Sequence, residues 1–280
     1  MNTALQNDYS LITERAGANV TQEQLLRVYQ RYVFAAQYCH GKDVLEAACG
    51  SGVGLGLLGD VAHSVTALDC ERKNLFHAET TYQQDSKVRI LHGDAQAIPF
   101  PDKSFDVVIL YEAIYYLSHP EKFFAECKRV LRSGGRLIIG SANREWADFN
   151  PSIYSTRYFS ASELYEMMEK EGFQTKIYKG FPIEESQGGK QKVLSLMKRV
   201  AVKLHCIPKS MKYKKFLKRI FVGQLVPLPP RLTQGSVEYR EPTPLSLGKE
   251  TQFKVIYAVG HYHPEPFGLA QDRLVEGRGA

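Results

Sequence analysis

No stretch of this 280-residue chain approaches the roughly 18 consecutive apolar residues that cross a bilayer. The opening Met1-Asn-Thr-Ala-Leu-Gln-Asn-Asp is polar where a secretory leader has a basic patch and an apolar run. Cysteine is scarce: Cys39, Cys49, Cys70, Cys127 and Cys206 are an odd number with no C-x-x-C spacing. That argues against a disulfide framework and a cysteine-built zinc site, so no metal is expected and a reducing compartment is. No internal repeat is present. These absences lead to the expectation of a soluble, cytoplasmic protein. Its 44% hydrophobic and 24% charged residues are those of a globular chain long enough to bury a full core.

One further absence is local. No acidic residue occurs in 186–237, a segment that holds 12 of the 36 lysines and arginines. The rest of the chain therefore has 24 basic residues against 30 acidic ones, so a net charge of +6 is an acidic body carrying a basic insert.

What is present centres on residues 43–54, Asp-Val-Leu-Glu-Ala-Ala-Cys-Gly-Ser-Gly-Val-Gly. Val44, Leu45 and Ala47 read as a short buried strand, Gly50, Gly52 and Gly54 as a turn, and Leu55, Leu57 and Leu58 as the start of a helix. Glycine tolerates positive φ and lets backbone N–H groups approach a ligand closely. A second strand, Val65-Thr-Ala-Leu68, ends on Asp69. An acid there, about 20 residues past the first glycine of the turn, is placed to accept both hydroxyls of a ribose. The literal dinucleotide pattern Gly54-Leu-Gly56-Leu-Leu-Gly59 lies inside the helical segment, not at the strand end. A nicotinamide oxidoreductase is disfavoured accordingly. At the strand end stands Glu46-x-Ala48-x-Gly50-x-Gly52. An acid on the strand repels a pyrophosphate but pairs with a cationic ligand such as the amino group of S-adenosylmethionine.

This segment resembles motif I of the class I S-adenosylmethionine-dependent methyltransferases, with Ala48 where many members carry glycine. Later motifs of that family follow in order: His92-Gly-Asp94-Ala95, Ile98-Pro-Phe-Pro-Asp-Lys-Ser-Phe-Asp106, the strand Val107–Leu110, and Ser133-Gly-Gly135 before the strand Arg136–Ile139. The resemblance covers about 40–180 and 250–260. It implies an α/β, Rossmann-like seven-stranded sheet of order 3-2-1-4-5-7-6 with strand seven antiparallel. Strand six is expected at 174–178 and strand seven at 253–259. It further implies S-adenosylmethionine as cofactor, with Asp94 accepting from the adenine amine and the Ala95 N–H donating to a ring nitrogen. Glu46, Ala48, Gly50, Gly52, Asp69, Cys70 and Tyr111 complete the expected cofactor contacts. Asp106 is expected to be structural.

The expected organisation is an N-terminal helical cap (1–40), a methyltransferase core (41–183 and 250–263), a basic helical insert (184–249) and a flexible tail (264–280). In the cap, Thr21-Gln-Glu-Gln24 is a capping-box-like start, and Leu25, Leu26, Tyr29, Tyr32, Val33 and Ala36 recur at helical spacing. Arg31 and Tyr32 on that helix either meet the methionine carboxylate and the adenosine or are part of an ordinary amphipathic core face. Within the insert, 190–204 and 211–222 read as basic amphipathic helices that Pro227, Pro229 and Pro230 terminate. A solvated lid and a surface for an anionic acceptor or a membrane are equally open readings. Nucleic acid is disfavoured by the few aromatics among the lysines, and an acidic carrier protein is the remaining alternative.

Methyl transfer to a hydroxyl needs positioning and a base. Glu112, Tyr115, Tyr116 and His119 follow the fourth strand, and His119 is the natural base at neutral pH unless it merely caps the helix beginning at Pro120. His261 and His263 follow strand seven and face either the pocket or solvent. The Asp/Asn-Pro-Pro-Tyr/Phe signature of amino-group methylation is missing. The expectation is O-methylation of an anionic, sugar, natural-product or lipid-linked small molecule, with peripheral contact to anionic membrane. C-methylation of a quinone or polyketide-like acceptor and a cofactor-binding but silent module are the alternatives. The oligomeric state has no signal in the sequence.

Overall fold

The computed structural model describes residues 14–183 and 225–263. Apolar runs flanked by polar turns become the strands β2 (Asp43–Ala47), β3 (Ser64–Asp69), β4 (Val88–His92), β5 (Phe105–Tyr111), β6 (Leu131–Ala142), β7 (Phe173–Pro182) and β10 (Phe253–Tyr262). With β9 (Thr243–Pro244) they form one eight-stranded sheet of order β4-β3-β2-β5-β6-β10-β7-β9. Numbered along the core, this is the expected 3-2-1-4-5-7-6 with one short strand added at the edge. β2 to β6 pair in parallel, and β10 runs antiparallel between β6 and β7.

Alternation along each strand sends side chains to opposite faces, and two cores result. Val44, Val65, Ile109 and Tyr257 pack under α1 (Gln22–Cys39), α2 (Leu55–Gly59) and α3 (Arg72–Tyr82). Leu45, Leu68, Leu110 and Ile256 pack under α4 (Pro120–Val130) and α5 (Ala161–Lys170). Burial on both faces explains why the central strands read as continuous apolar runs. α1 starts at the capping box of Thr21 and Gln24, and α5 at one formed by Ser160 and Glu163.

The helix beginning at Pro120 ends at Val130, and Leu131 opens β6, earlier than the strand expected from Arg136. Arg132 leaves the helix to bridge Asp43 and Asp106, each 2.9 Å away, and Asp106 accepts from the Asp43 N–H. That fastens the start of β5 to the start of β2, the structural part expected of Asp106.

Residues 1–13, the segment 184–224 with both basic amphipathic stretches, and the tail from 264 lie outside the described residues. The portion 225–249 contains no helix. β8 (Leu225–Pro227) pairs antiparallel with β1 (Asn19–Thr21), Leu228 and Leu232 are buried, and Arg231 pairs with Asp60 and Asp85. Among the described residues no helix is long and apolar enough to cross a membrane.

Candidate functional site

The turn after β2 turns left-handed at alternate residues: Ala48 (φ 63°), Gly50 (φ 59°) and Gly52 (φ 73°). Alanine is strained there and glycine is not. Neighbours brace the turn on every side. The Cys49 N–H donates to the Leu68 carbonyl, the Gly50 N–H to Asp69 Oδ2 at 2.8 Å, and the Tyr82 hydroxyl to the Gly52 carbonyl. A Cβ on Gly54 would fall 2.1 Å from the Tyr32 ring, so only glycine lets α1 lie this close.

Above the carboxyl ends of the parallel strands lies a cavity of about 600 Å³. It is walled at one end by Glu46, Ala48, Gly50, Asp69, Cys70 and Asp94, and elsewhere by Arg31, Tyr32, Tyr111, Glu112, Tyr115 and Tyr116. Lateral order in the sheet sets the order of groups: Asp94 follows β4, Asp69 ends β3, the glycine turn ends β2, Glu112 follows β5 and Ala142 ends β6. At about 4.8 Å per strand, the span from Asp69 to Ala142 is about 14 Å, room for two reactants side by side.

Glu46 is 1% exposed. The Tyr32 hydroxyl donates to its Oε1 at 2.6 Å, whereas its Oε2 is buried with no partner. Burial pushes its pKa up to about 8, against the lowering pull of the Tyr32 hydrogen bond and Arg31. Arg31, from α1, pairs with Glu14 and lies over the rings of Tyr32 and Tyr111, and its Nε is likewise buried without a partner. Burial works against its charge, but Glu14, Tyr32 and Glu112 keep the guanidinium cationic. Asp69 accepts one backbone N–H on each oxygen, from Gly50 and Glu71, and the Asn74 side chain is hydrogen-bonded to it as well.

Glu112 sits at φ 52°, a strained conformation for a residue with a side chain. Its N–H is held by the Gly140 carbonyl, and its Oε2 accepts from the Tyr115 hydroxyl at 2.6 Å. Burial raises its pKa, opposed by Arg31 and by the Tyr115 hydrogen bond. Tyr115 itself stacks on Tyr158 with centroids 4.1 Å apart. The result is an acid presented to the cavity by a backbone and a tyrosine that cannot easily move.

Three expected residues are not on the cavity wall. Gly52 is turned toward α3, where a Cβ would meet Ala78 at 2.9 Å. Ala95 is buried beside the wall. His119, expected as a base, stands off the cavity wall at the start of α4, with an exposed ring whose Nδ1 is 3.0 Å from Glu121 and a side chain that makes no capping hydrogen bond. His261 lies 2.9 Å from the Gly134 carbonyl at the end of the strands opposite the cavity, because β10 is antiparallel and its end pairs with the beginning of β6. Sequence reasoning missed Glu14, Gln24, Arg27, Asn74, Gln96 and Thr156, all of which line the cavity. The three-to-four-residue stripe Gln24, Arg27, Arg31 was the available signal for two of them.

The donor set fits S-adenosylmethionine. An unpartnered carboxylate oxygen suits its ammonium, a buried guanidinium its carboxylate, and Asp69 its ribose hydroxyls. Residues 45–139 match the family model described as a methyltransferase domain. The chain is 39% identical over 153 residues to a probable S-adenosylmethionine-dependent methyltransferase of Mycolicibacterium smegmatis, covering 52% of this chain and 56% of that one. It is 35% identical over 136 residues to a phthiotriol/phenolphthiotriol dimycocerosates methyltransferase of Mycobacterium leprae, covering 47% of each. The chain thus spans about half the length of the curated relatives it matches. Among solved structures, the YcgJ protein of Bacillus subtilis superposes with a TM-score of 0.54 at 18% identity, covering 87% of this chain and all of that one. At that identity the likeness is one of fold.

Proposed function

Residues 45–139 of this chain are a methyltransferase domain of the class I S-adenosylmethionine-dependent kind, and from that premise we propose that the protein methylates a hydroxyl of a small-molecule acceptor. The observation that carries the reading is the pairing, in one cavity, of an orphaned Glu46 Oε2 with a strained, half-buried Glu112. Glu46 and Arg31 hold the amino-acid end of the donor, Asp69 its ribose, and Asp94 its adenine. The bound donor supplies a methyl group already activated on a sulfonium. What remains for the protein is alignment and removal of one proton. Glu112 takes the acceptor's hydroxyl proton at a carboxylate oxygen, with a pKa raised toward the working pH as a base requires. Tyr115 holds that carboxylate in place through its hydroxyl. A lipid-linked or otherwise anionic acceptor is the finer form of the reading, supported by the acid-free basic segment 186–237.

The test incubates the protein with methyl-labelled S-adenosylmethionine and an extract of the host's metabolites. Label should enter a non-protein small molecule. Glu112→Gln should lower the rate by about 100-fold or more while S-adenosylhomocysteine affinity holds within about twofold. Full activity in that variant removes Glu112 as the base. Tight cofactor binding with no transfer at all makes the chain a silent binding module.

A further inference from the structure

Beyond Tyr111 the cavity continues toward the start of α1, where Gln24 and Arg27 form its wall together with Ala142. We propose that Arg27 recognises an acidic group on the methyl acceptor, which makes the acceptor an anion-bearing hydroxyl compound. This deepens, and rests on, the methyl-transfer reading above.

Arg27 and Arg31 stand on the same side of α1, about 6 Å apart along its axis. They face different company. Arg31 lies over Tyr32 and Tyr111, beside the donor end. Arg27 lies 5.8 Å from the Trp146 ring centroid and 5.5 Å from that of Phe181, on the β6 and β7 side of the sheet. The donor groups Asp69 and Asp94 belong to β3 and β4, on the other side of β5. An acceptor must sit on the far side of the methyl group from the donor, and that is Arg27's side.

Three features suit Arg27 to an anion rather than to structure alone. Contact with two aromatic rings fixes the guanidinium plane and leaves its edges to hydrogen bond. Nη2 is taken by Glu23, but Nε is buried and has no partner. Glu23 is also shared: Lys254 Nζ lies 2.9 Å from both its oxygens and 5.2 Å from the Trp146 ring. Two cations therefore share this one carboxylate, and Glu112 on the cavity wall also acts on Arg27. An acceptor holding its acidic group on the Arg27 guanidinium and its hydroxyl against Glu112 has its reacting oxygen brought to the base.

The experiment resolves the methyl-labelled product of the intact protein on an anion-exchange resin at pH 7, using the host's metabolite extract as the source of acceptor. Label retained by the resin and released by salt is expected. Arg27→Gln should lower that label at least tenfold, Arg27→Lys less, with S-adenosylhomocysteine affinity unchanged in both. Wild-type label that passes through the resin as a neutral product overturns the proposal without reference to any variant, and leaves methyl transfer standing. Arg27→Gln that labels as fast as wild type, or that loses S-adenosylhomocysteine binding, overturns it too. No label from wild type at all sinks methyl transfer and this inference together.

Discussion

A carboxyl sealed at the end of β2 must stay neutral or find a cation, and Glu46 has found neither in full. One oxygen is tied to Tyr32 and the other has no partner. With its pKa pushed to about 8 by burial, it is mostly protonated at pH 7 before the donor arrives. An incoming ammonium pairs with it only once that proton has left. Calorimetry at pH 7 in buffers of differing ionisation enthalpy should therefore report release of about one proton per S-adenosylhomocysteine bound, with affinity rising as pH climbs toward 8. Glu46→Gln should abolish the release and weaken S-adenosylhomocysteine about tenfold or more, while 5′-methylthioadenosine, which lacks the amino-acid end, binds as before. The same shift has a stability sign. A carboxyl whose folded pKa lies above its unfolded value favours the fold below the ordinary carboxylate range, and that contribution is lost as pH rises through 8. Thermal melting of the unliganded Gln variant should accordingly depend less on pH between about 5 and 9 than that of the wild type. Equal proton release by both proteins would remove Glu46 from the ammonium site.

At the scale of elements, the segment leading into β1 behaves as a strap. Glu14 reaches Arg31 through its carboxylate, and its carbonyl accepts from the Ser51 hydroxyl at 2.6 Å. The Gly17 N–H donates to the Leu228 carbonyl, and the Leu228 N–H to that of Ala18, before β1 pairs with β8. Glu14 thus holds the guanidinium that the donor's carboxylate would need. Glu14→Gln should tighten S-adenosylhomocysteine by about fivefold, the worth of roughly 1 kcal/mol for a partly exposed ion pair, without altering 5′-methylthioadenosine. Weaker binding would instead make Glu14 part of the site. No sequence pattern announces such a contact, since it joins a stretch of irregular chain to a helix. The central strands were legible for the opposite reason: Val107–Leu110 is apolar throughout because both faces are buried. The capping box at Thr21 was legible because its partner, Gln24, lies three residues away. His119 misled because nearness in sequence to a strand end says nothing about side-chain direction, and a residue before Pro120 at a helix start points outward. For His261, left open between pocket and solvent, the antiparallel last strand already implies an end that lies away from the cavity.

On the scale of the whole molecule, charge is segregated along the chain. Twelve lysines and arginines with no acid occupy 186–237, and the remainder is net negative. The chain re-enters the described structure at Leu225, where β8 pairs with β1, and soon afterwards the Leu232 N–H donates to the Val53 carbonyl of the glycine turn. Arg231 lies over Tyr82, whose hydroxyl braces that same turn, and pairs with Asp60 and Asp85. The exit of the basic segment is therefore fastened to the site that would hold the donor. Each basic residue near an anionic lipid surface contributes about 1 kcal/mol, within a Debye length of about 10 Å at 0.1 M salt. If only a few of the twelve reach the surface, the intact protein should float with phosphatidylserine-containing vesicles at low salt. It should release as salt rises to a few hundred millimolar and ignore neutral phosphatidylcholine vesicles throughout. Binding duplex DNA with the same salt response would mean that the segment offers charge without a preference for lipid. Failure to float with anionic vesicles at low salt would leave the lysines as a solvated surface, and the search for the acceptor would then turn to the aqueous pool.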